Sequence, residues 1–272
     1  MHVHFLTVVG GFVDVLPHTL RHYRLLGVES FLVHANVAGE DDPVLAQLRR
    51  ITPLASVSWG PEAIERNPAI YRTAMSERPD DWFVLADQDE LQDWDGRLFE
   101  VLDECDRHGF DHVHGTLVDR LARDGSFPPV DPERSLDEQF PLTALLTTPL
   151  LRANSRKIVA AKGHVLLAAG QHDAVSGRGR PVSELNVPVH HFKWAGNLIE
   201  RLTQRVRFYR EMGLPVGEES ERLLAHVHAH GGRIDVNDPR FYVREASEGL
   251  DYWPRVREIV YRPAVDDSSS LR

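Results

Sequence analysis

With 272 residues, 42% of them hydrophobic and 26% charged, the chain can bury a sizeable core and sits near the upper end of single-domain size. Its formal charge of −10 at pH 7 excludes the basic face that broad nucleic-acid or anionic-membrane binding selects, so an anionic ligand needs a local cation. The single cysteine, Cys105, excludes an intrachain disulfide, fits a reducing cytoplasm, and reads as a small apolar residue on a helix.

No apolar run approaches membrane-spanning length, and the start Met1-His2-Val3-His4-Phe5-Leu6 lacks the basic and long apolar regions of a signal peptide, so a soluble, cytoplasmic protein without a membrane span is expected. Of 31 basic residues only Lys157, Lys162 and Lys193 are lysines, a bias of G+C-rich bacterial genomes.

In chain order, His2 to Val9 is a short β-rich run, followed by Gly10-Gly11 and by Leu16, Leu20 and Tyr23 at helical spacing, with Gly27 as the helix stop. Ser30 to His34 reads as a strand, Pro43 to Ile51 as a helix opened by Asp41 or Asp42, and Ala55 to Trp59 as a third strand. A helix with Pro68 in its first turn runs from Asn67 to about Ser76, and the strand Trp82 to Leu85 follows. Alternation of this kind predicts an α/β fold with a mostly parallel sheet flanked by helices. Beyond it come a helix over Gly96 to His108 and a short strand at His112 to His114, then a loop region broken by Pro128, Pro129 and Pro132. Ser135 caps a predicted helix over Leu136 to Leu146; strands are expected at Ile158 to Ala161, Val165 to Ala168 and Val187 to Phe192, and helices at Asn197 to Met212 and Glu218 to His230. The division is a core of residues 1–195, a C-terminal helical extension of 196–263 packed on it, and a disordered tail of 264–272.

The strand Trp82-Phe83-Val84-Leu85-Ala86 ends abruptly in Asp87-Gln88-Asp89-Glu90, three carboxylates in four positions. Crowded acids repel unless a cation joins them, and open α/β sheets bind ligands beyond the carboxyl ends of their strands. Mn²⁺ or Mg²⁺ accepts such oxygens while leaving positions for diphosphate oxygens and water, and neutralises charge on a leaving nucleoside diphosphate. The bland reading is a solvated acidic loop continuing into Asp93 and Asp95.

Four segments make the chain similar to bacterial glycosyltransferases of the family-2 type, in the branch carrying D-x-D-E. They are Leu16 to Val28, ending in His22-Tyr23-Arg24-Leu25-Leu26-Gly27-Val28; Trp82 to Leu91 with the acids; Gly115 to Gly125 with Gln139-Phe140-Pro141 after it; and His191-Phe192-Lys193-Trp194 ahead of a helix. The chain departs from the branch in having Leu91 where an aromatic commonly follows the glutamate, and in its doubled histidine. The resemblance implies a GT-A-like fold and an NDP-sugar (nucleotide-diphosphate sugar) donor, for which uridine, guanosine and thymidine all fit, and it leans towards inversion at the anomeric carbon. It also implies that His191 joins Asp87 and Asp89 as a metal ligand.

Adjacent side chains of a strand point to opposite faces, so only one of His190 and His191 can share a site with the acids; His172 in Gly170-Gln171-His172 is the competitor. Ser176-Gly177-Arg178-Gly179-Arg180-Pro181 combines backbone freedom with two guanidinium groups, suited either to closing over a diphosphate or to a plain surface loop. Lys193 with Arg201 and Arg205 offers further phosphate contacts, or a solvated helix face paired with Glu200. An inverting reaction needs a carboxylate to take the acceptor's proton; Asp119 is the candidate, with an ion pair to Arg120 as its structural alternative and Asp137 or Glu138 as substitutes. Asp87 and Glu90 are also assigned to donor binding. The acceptor is open: a glycan, a lipid-linked glycan or a small metabolite. The competing classes are a metal-dependent phosphohydrolase or nucleotidyltransferase, and a non-catalytic nucleotide-sugar-binding module.

Overall fold

The computed structural model describes residues 1–59, 66–211 and 217–249. Its centre is a mixed sheet of ten strands: β1 (Val3–Val9), β2 (Ser30–Val37), β3 (Ser56–Trp59), β4 (Trp82–Leu85), β5 (Glu90–Gln92), β6 (His112–Leu121), β7 (Leu142–Ala144), β8 (Arg156–Lys162), β9 (Val187–His191) and β10 (Arg244–Glu245). Along the main path the order is β10-β7-β6-β8-β4-β1-β2-β3, with β9 paired to both β5 and β6. The half from β4 to β3 is wholly parallel, and β8 enters antiparallel between β4 and β6. Helices α1 (Leu16–Leu25), α2 (Pro43–Ile51), α3 (Arg66–Ser76) and α4 (Leu98–His108) connect the strands, which makes the fold α/β with helices flanking the sheet, as the alternation predicts.

The run Trp82-Phe83-Val84-Leu85 is apolar without alternation because both faces of β4 are covered. Trp82 and Val84 pack with Phe5, Leu16, Leu20 and Tyr23 on one side, and Phe83 and Leu85 with Leu6, Tyr71 and Met75 on the other. Helix α2 starts where Asp42 accepts a hydrogen bond from the Val44 N–H, so Asp42 rather than Asp41 is the cap, with Pro43 in the first turn. Cys105 is buried on α4, in the small apolar role expected of it, and Gly109 ends that helix at φ +67°.

Several boundaries differ from expectation. Strand β6 is ten residues long instead of three, because β9 runs along one side of it and β8 and then β7 along the other. The predicted helix over Leu136 to Leu146 is one turn, α5 (Leu136–Gln139), and the chain continues as β7. Pro141 supplies the reason: it has no N–H, and it disfavours helical geometry at Phe140, whose φ/ψ is −128°/68°. Val165 to Ala168 forms no strand beyond one isolated bridge, Leu167 to Ala174, since the chain turns at Gly163, where a Cβ would stand 2.1 Å from the Arg78 carbonyl oxygen. Strand β5, three residues long, has no counterpart among the predicted elements.

Helices α6 (Leu198–Glu211) and α7 (Gly217–Ala229) pack through Leu198, Leu202, Leu223 and Val227 onto Trp194, Leu121, Leu142 and Phe241. Met212, residues 250–263 of the expected extension and the tail 264–272 lie outside the described residues. Among the described residues no helix is long and apolar enough to cross a membrane.

Candidate active site

The acids lie on the short connection from β4 to β5, and helix α1 holds that connection in place. Thr19 donates its hydroxyl to the Gln88 carbonyl at 2.6 Å, Tyr23 donates to the Glu90 carbonyl at 3.2 Å, and His22 Nε2 donates to the Gln92 carbonyl at 2.9 Å. Gln92 in turn donates its amide to the Leu85 and Val159 carbonyls and accepts from the Trp94 indole, so β5 is locked against both β4 and β8. The His22-Tyr23 pair thus fixes the backbone that carries the carboxylates.

Register brings the other half of the site. Strand β9 sets His191 opposite Glu90 on β5 and opposite Asp119 on β6. These cross-strand partners share a face, whereas His190 pairs with Leu91 and Val118 and points the other way. Burial, helped by the charge of Arg120, holds the His190 imidazole down at about 4.

The three acids do not act as a trio. Lys157 on β8 places its ammonium 3.1 Å from Asp87 Oδ2 and 3.1 Å from Glu90 Oε1, and its remaining donor reaches the Gly170 carbonyl at 3.4 Å. Glu90 Oε2 accepts from the Asp87 N–H at 3.1 Å. Burial pushes the Glu90 carboxyl up, with Lys157 pulling the other way, while at Asp87 the same burial is outweighed by Lys157 and the carboxyl is held low. Asp89 stands apart from this knot, its Oδ2 3.9 Å from His191 Nε2.

Behind His191 lies Asp119. Its Oδ1 accepts from His191 Nδ1 at 3.2 Å and from the Trp194 indole at 2.8 Å; its Oδ2 accepts from the Leu146 N–H at 2.8 Å, the Thr147 N–H at 3.1 Å and the Thr147 hydroxyl at 3.3 Å. Burial alone raises this carboxyl, but the hydrogen bonds and positive charge around it bring it below the ordinary range. Asp119 is 0% exposed and both its oxygens are engaged, so the expectation that it takes a proton from an acceptor hydroxyl gives way to another role: fixing the ring of His191. Nor does it pair with Arg120, which instead donates to the Phe140 carbonyl and to Asp137.

The arrangement fits a cation held by Asp89 and His191. With Nδ1 donating to Asp119, Nε2 is the ring nitrogen that faces the Asp89 carboxylate, and a cation between them would take the lone pair of one and an oxygen of the other. Two atoms coordinating one ion at ordinary distances stand roughly 3–4 Å apart, which is the separation present here. Among the described residues no group of three His, Cys, Asp or Glu is disposed to hold a metal. Further ligands would have to come from diphosphate and water.

Positive charge lies on the far side. Lys193, whose ammonium stacks 4.8 Å from the Trp194 ring centre, feels Asp119 and Asp89 but is lowered chiefly by burial. Arg201 on α6 stacks 4.0 Å above the Phe12 ring and donates to the Lys193 and Ala195 carbonyls; burial lowers it too, against the pull of Asp89 and Asp14. His172 sits beside Lys157 rather than Asp89: its Nδ1 donates to the Arg156 carbonyl at 2.7 Å, and burial lowers it, with the charges of Lys157 and Arg156 adding and that of Asp87 opposing.

Arg178 and Arg180 are not part of this assembly. Arg178 donates to the His108 carbonyl and stacks on Phe110, and Arg180 pairs with Glu104 at 3.0 Å. Both belong beside His112, seven residues back along β6 from Asp119, which is about 23 Å at strand rise. The expected flap over a diphosphate is a tether on the end of α4. Sequence reasoning passes over Lys157, Trp194 and Thr147 as site residues; Lys157 has one usable signal, being a lysine in a chain whose other cations are nearly all arginine.

An open cleft of about 510 Å³ begins two residues beyond Trp194, lined by Phe127, Gly196, Asn197, Ile199, Glu200 and Gly232.

No protein-family model matches the sequence, and no curated protein matches it. Among solved structures, residues 1–349 of S. aureus TarS are similar at 10% identity over 85% of this chain and 72% of that one, with a TM-score of 0.35. A presumed nucleotide-diphospho-sugar transferase of Desulfovibrio desulfuricans G20 shares 16% identity over 46% of this chain and 61% of that one, with a TM-score of 0.28. The UTP-bound UGPase of Acinetobacter baumannii shares 12% over 97% and 95%, also at 0.28. At these scores the likenesses do not by themselves assign an activity.

Proposed function

We propose that the chain is a glycosyltransferase that moves a sugar from a nucleotide-diphosphate donor to an acceptor hydroxyl, with Mn²⁺ or Mg²⁺ held between Asp89 and His191. The observation that carries this reading is the row Asp119, His191, Asp89, in which a buried carboxylate fixes one imidazole nitrogen and turns the other toward a second carboxylate. Such a cation, when bound, neutralises charge on the departing diphosphate.

The chain's own residues supply the rest. Asp119 keeps His191 in one tautomer. Lys193 and Arg201 flank the acids with positive charge that suits phosphate oxygens. Asp87 keeps 42% of its side chain exposed, with one oxygen not taken by Lys157, which suits a hydrogen bond from a donor hydroxyl or base. The cleft at Phe127 is the proposed acceptor entrance: an aromatic face and the polar ends of Asn197 and Glu200 match a sugar ring and its hydroxyls.

The test is a thermal-shift screen of nucleoside diphosphates and nucleotide sugars with and without Mn²⁺. A ligand at a hundred times its Kd should stabilise the chain by about 2.7 kcal/mol, and Asp89→Ala should abolish that shift. No shift with any common nucleotide overturns the reading. Measuring sugar transfer and pyrophosphate release separately divides a transferase from the phosphohydrolase and nucleotidyltransferase alternatives.

A further inference from the structure

Three carboxylates converge after β4, yet a single side chain of the protein already engages two of them and offsets one of their charges. Lys157 is 4% exposed and Glu90 2%, and Glu90 and Asp87 both approach the ammonium at hydrogen-bonding distance. An ammonium has three protons to donate. Those of Lys157 go to Asp87 Oδ2, Glu90 Oε1 and the Gly170 carbonyl, so none is left for a ligand. Gly170 is suited to this by its left-handed backbone, φ +70°, which turns its carbonyl inward. The remaining acid, Asp89, has among the described residues no cation within ion-pair distance except His191 at 3.9 Å.

We propose that Lys157 is an internal cation occupying the seat that a divalent ion would otherwise take between Asp87 and Glu90, and that this occupation confines the exogenous cation to Asp89 and His191. Lys157 is thereby a positioning residue that touches neither donor nor acceptor. It fixes the number of metal ions at one and holds the exposed oxygen of Asp87 in a set direction. An arginine in its place would bring a planar fork of five donors to a seat shaped for a point charge. That distinction gives a reason for a lysine here in a chain so poor in lysine. The inference deepens the transferase reading by giving its cation site a fixed stoichiometry.

The experiment is a nucleotide-free Mn²⁺ titration followed by electron paramagnetic resonance, comparing the full wild-type chain with Lys157→Met. Removing the ammonium leaves Asp87, Glu90 and Asp89 without compensation, so the variant should bind Mn²⁺ at least tenfold more tightly than wild type; equal or weaker binding overturns the proposal. The double variant Lys157→Met with Glu90→Gln restores the charge balance and removes one ligand, and its affinity should return to within threefold of wild type. A tenfold gain that persists in the double variant also overturns the proposal, since the effect would then be general electrostatics. If Lys157→Met is unfolded without metal, far-ultraviolet circular dichroism is followed on adding millimolar Mn²⁺. Recovery of the folded signal supports the proposal, and no recovery overturns it. Failure of wild type to respond to any nucleoside diphosphate sinks the transferase reading alone, because the Mn²⁺ comparison is read without nucleotide.

Discussion

Asp119 sits where a charged group is costly, and its five donors are what keep it ionised there. Asp119→Asn keeps the shape but turns one acceptor end into a donor that must face a donor, and it removes the charge that orients the His191 ring. Mn²⁺ affinity should fall by about 10- to 100-fold, measured by titration, while Asn at the exposed Asp137 should leave it unchanged. At the same scale, strand alternation says only that one of His190 and His191 can face the acids; the resemblance of His191-Phe192-Lys193-Trp194 to the family element is what points to His191, and the register sets it opposite Glu90 and Asp119. The role of Asp119 was not legible in the sequence, since a carboxylate that fixes a ring and one that takes a proton are the same letter until their burial is known. Arg178 and Arg180 mislead for a related reason: a glycine-rich basic loop looks alike whether its guanidinium groups face a ligand or the end of a helix, and here they face α4.

At the level of elements, the site depends on β6, β8 and β9 lying within one another's reach. Gly115 is where they pass closest: a Cβ there would stand 2.5 Å from Val159 Cγ1 and 2.6 Å from the Val187 carbonyl oxygen. The backbone of neither neighbouring strand can retreat without breaking ladder hydrogen bonds. Gly115→Ala should therefore cost about 1–3 kcal/mol, seen as a fall in melting temperature of roughly 2–4 °C per kcal/mol, and should weaken Mn²⁺ binding by shifting His191 relative to Asp119. The α1 and β4 elements were legible because long apolar periodicity and a helix stop are local signals. Strand β5 and the length of β6 were not, because three- and ten-residue strands here owe their existence to partners far along the chain.

For the whole molecule, acid stability follows from buried histidines. His112 and His114 lie on β6 with ring centres 5.0 Å apart; burial lowers both, and holds His114 at about 4, as it does His190. A folded-state value below the unfolded 6.5 means the unfolded chain takes up protons first as pH falls. Stability is then full above about pH 6.5 and declines from there toward pH 4, where the folded histidines also protonate. The depressed carboxyls Asp87 and Asp119 add losses that begin where the unfolded chain's carboxyls protonate, in the ordinary carboxylate range, and continue to lower pH, so they join the lower end of the histidine window. Melting temperature measured from about pH 7.5 to about pH 4.5 should fall, and His114→Gln should flatten the slope; an unchanged slope would show that the ring is not kept neutral by folding.

The chain alone determined the α/β class and the strand that ends in acids, because periodicity and composition are properties of neighbours in sequence. Only the folded sheet decided which acid stays outside the lysine's ion pairs, since that depends on Lys157, seventy residues from Asp87, arriving on an adjacent strand with a full positive charge.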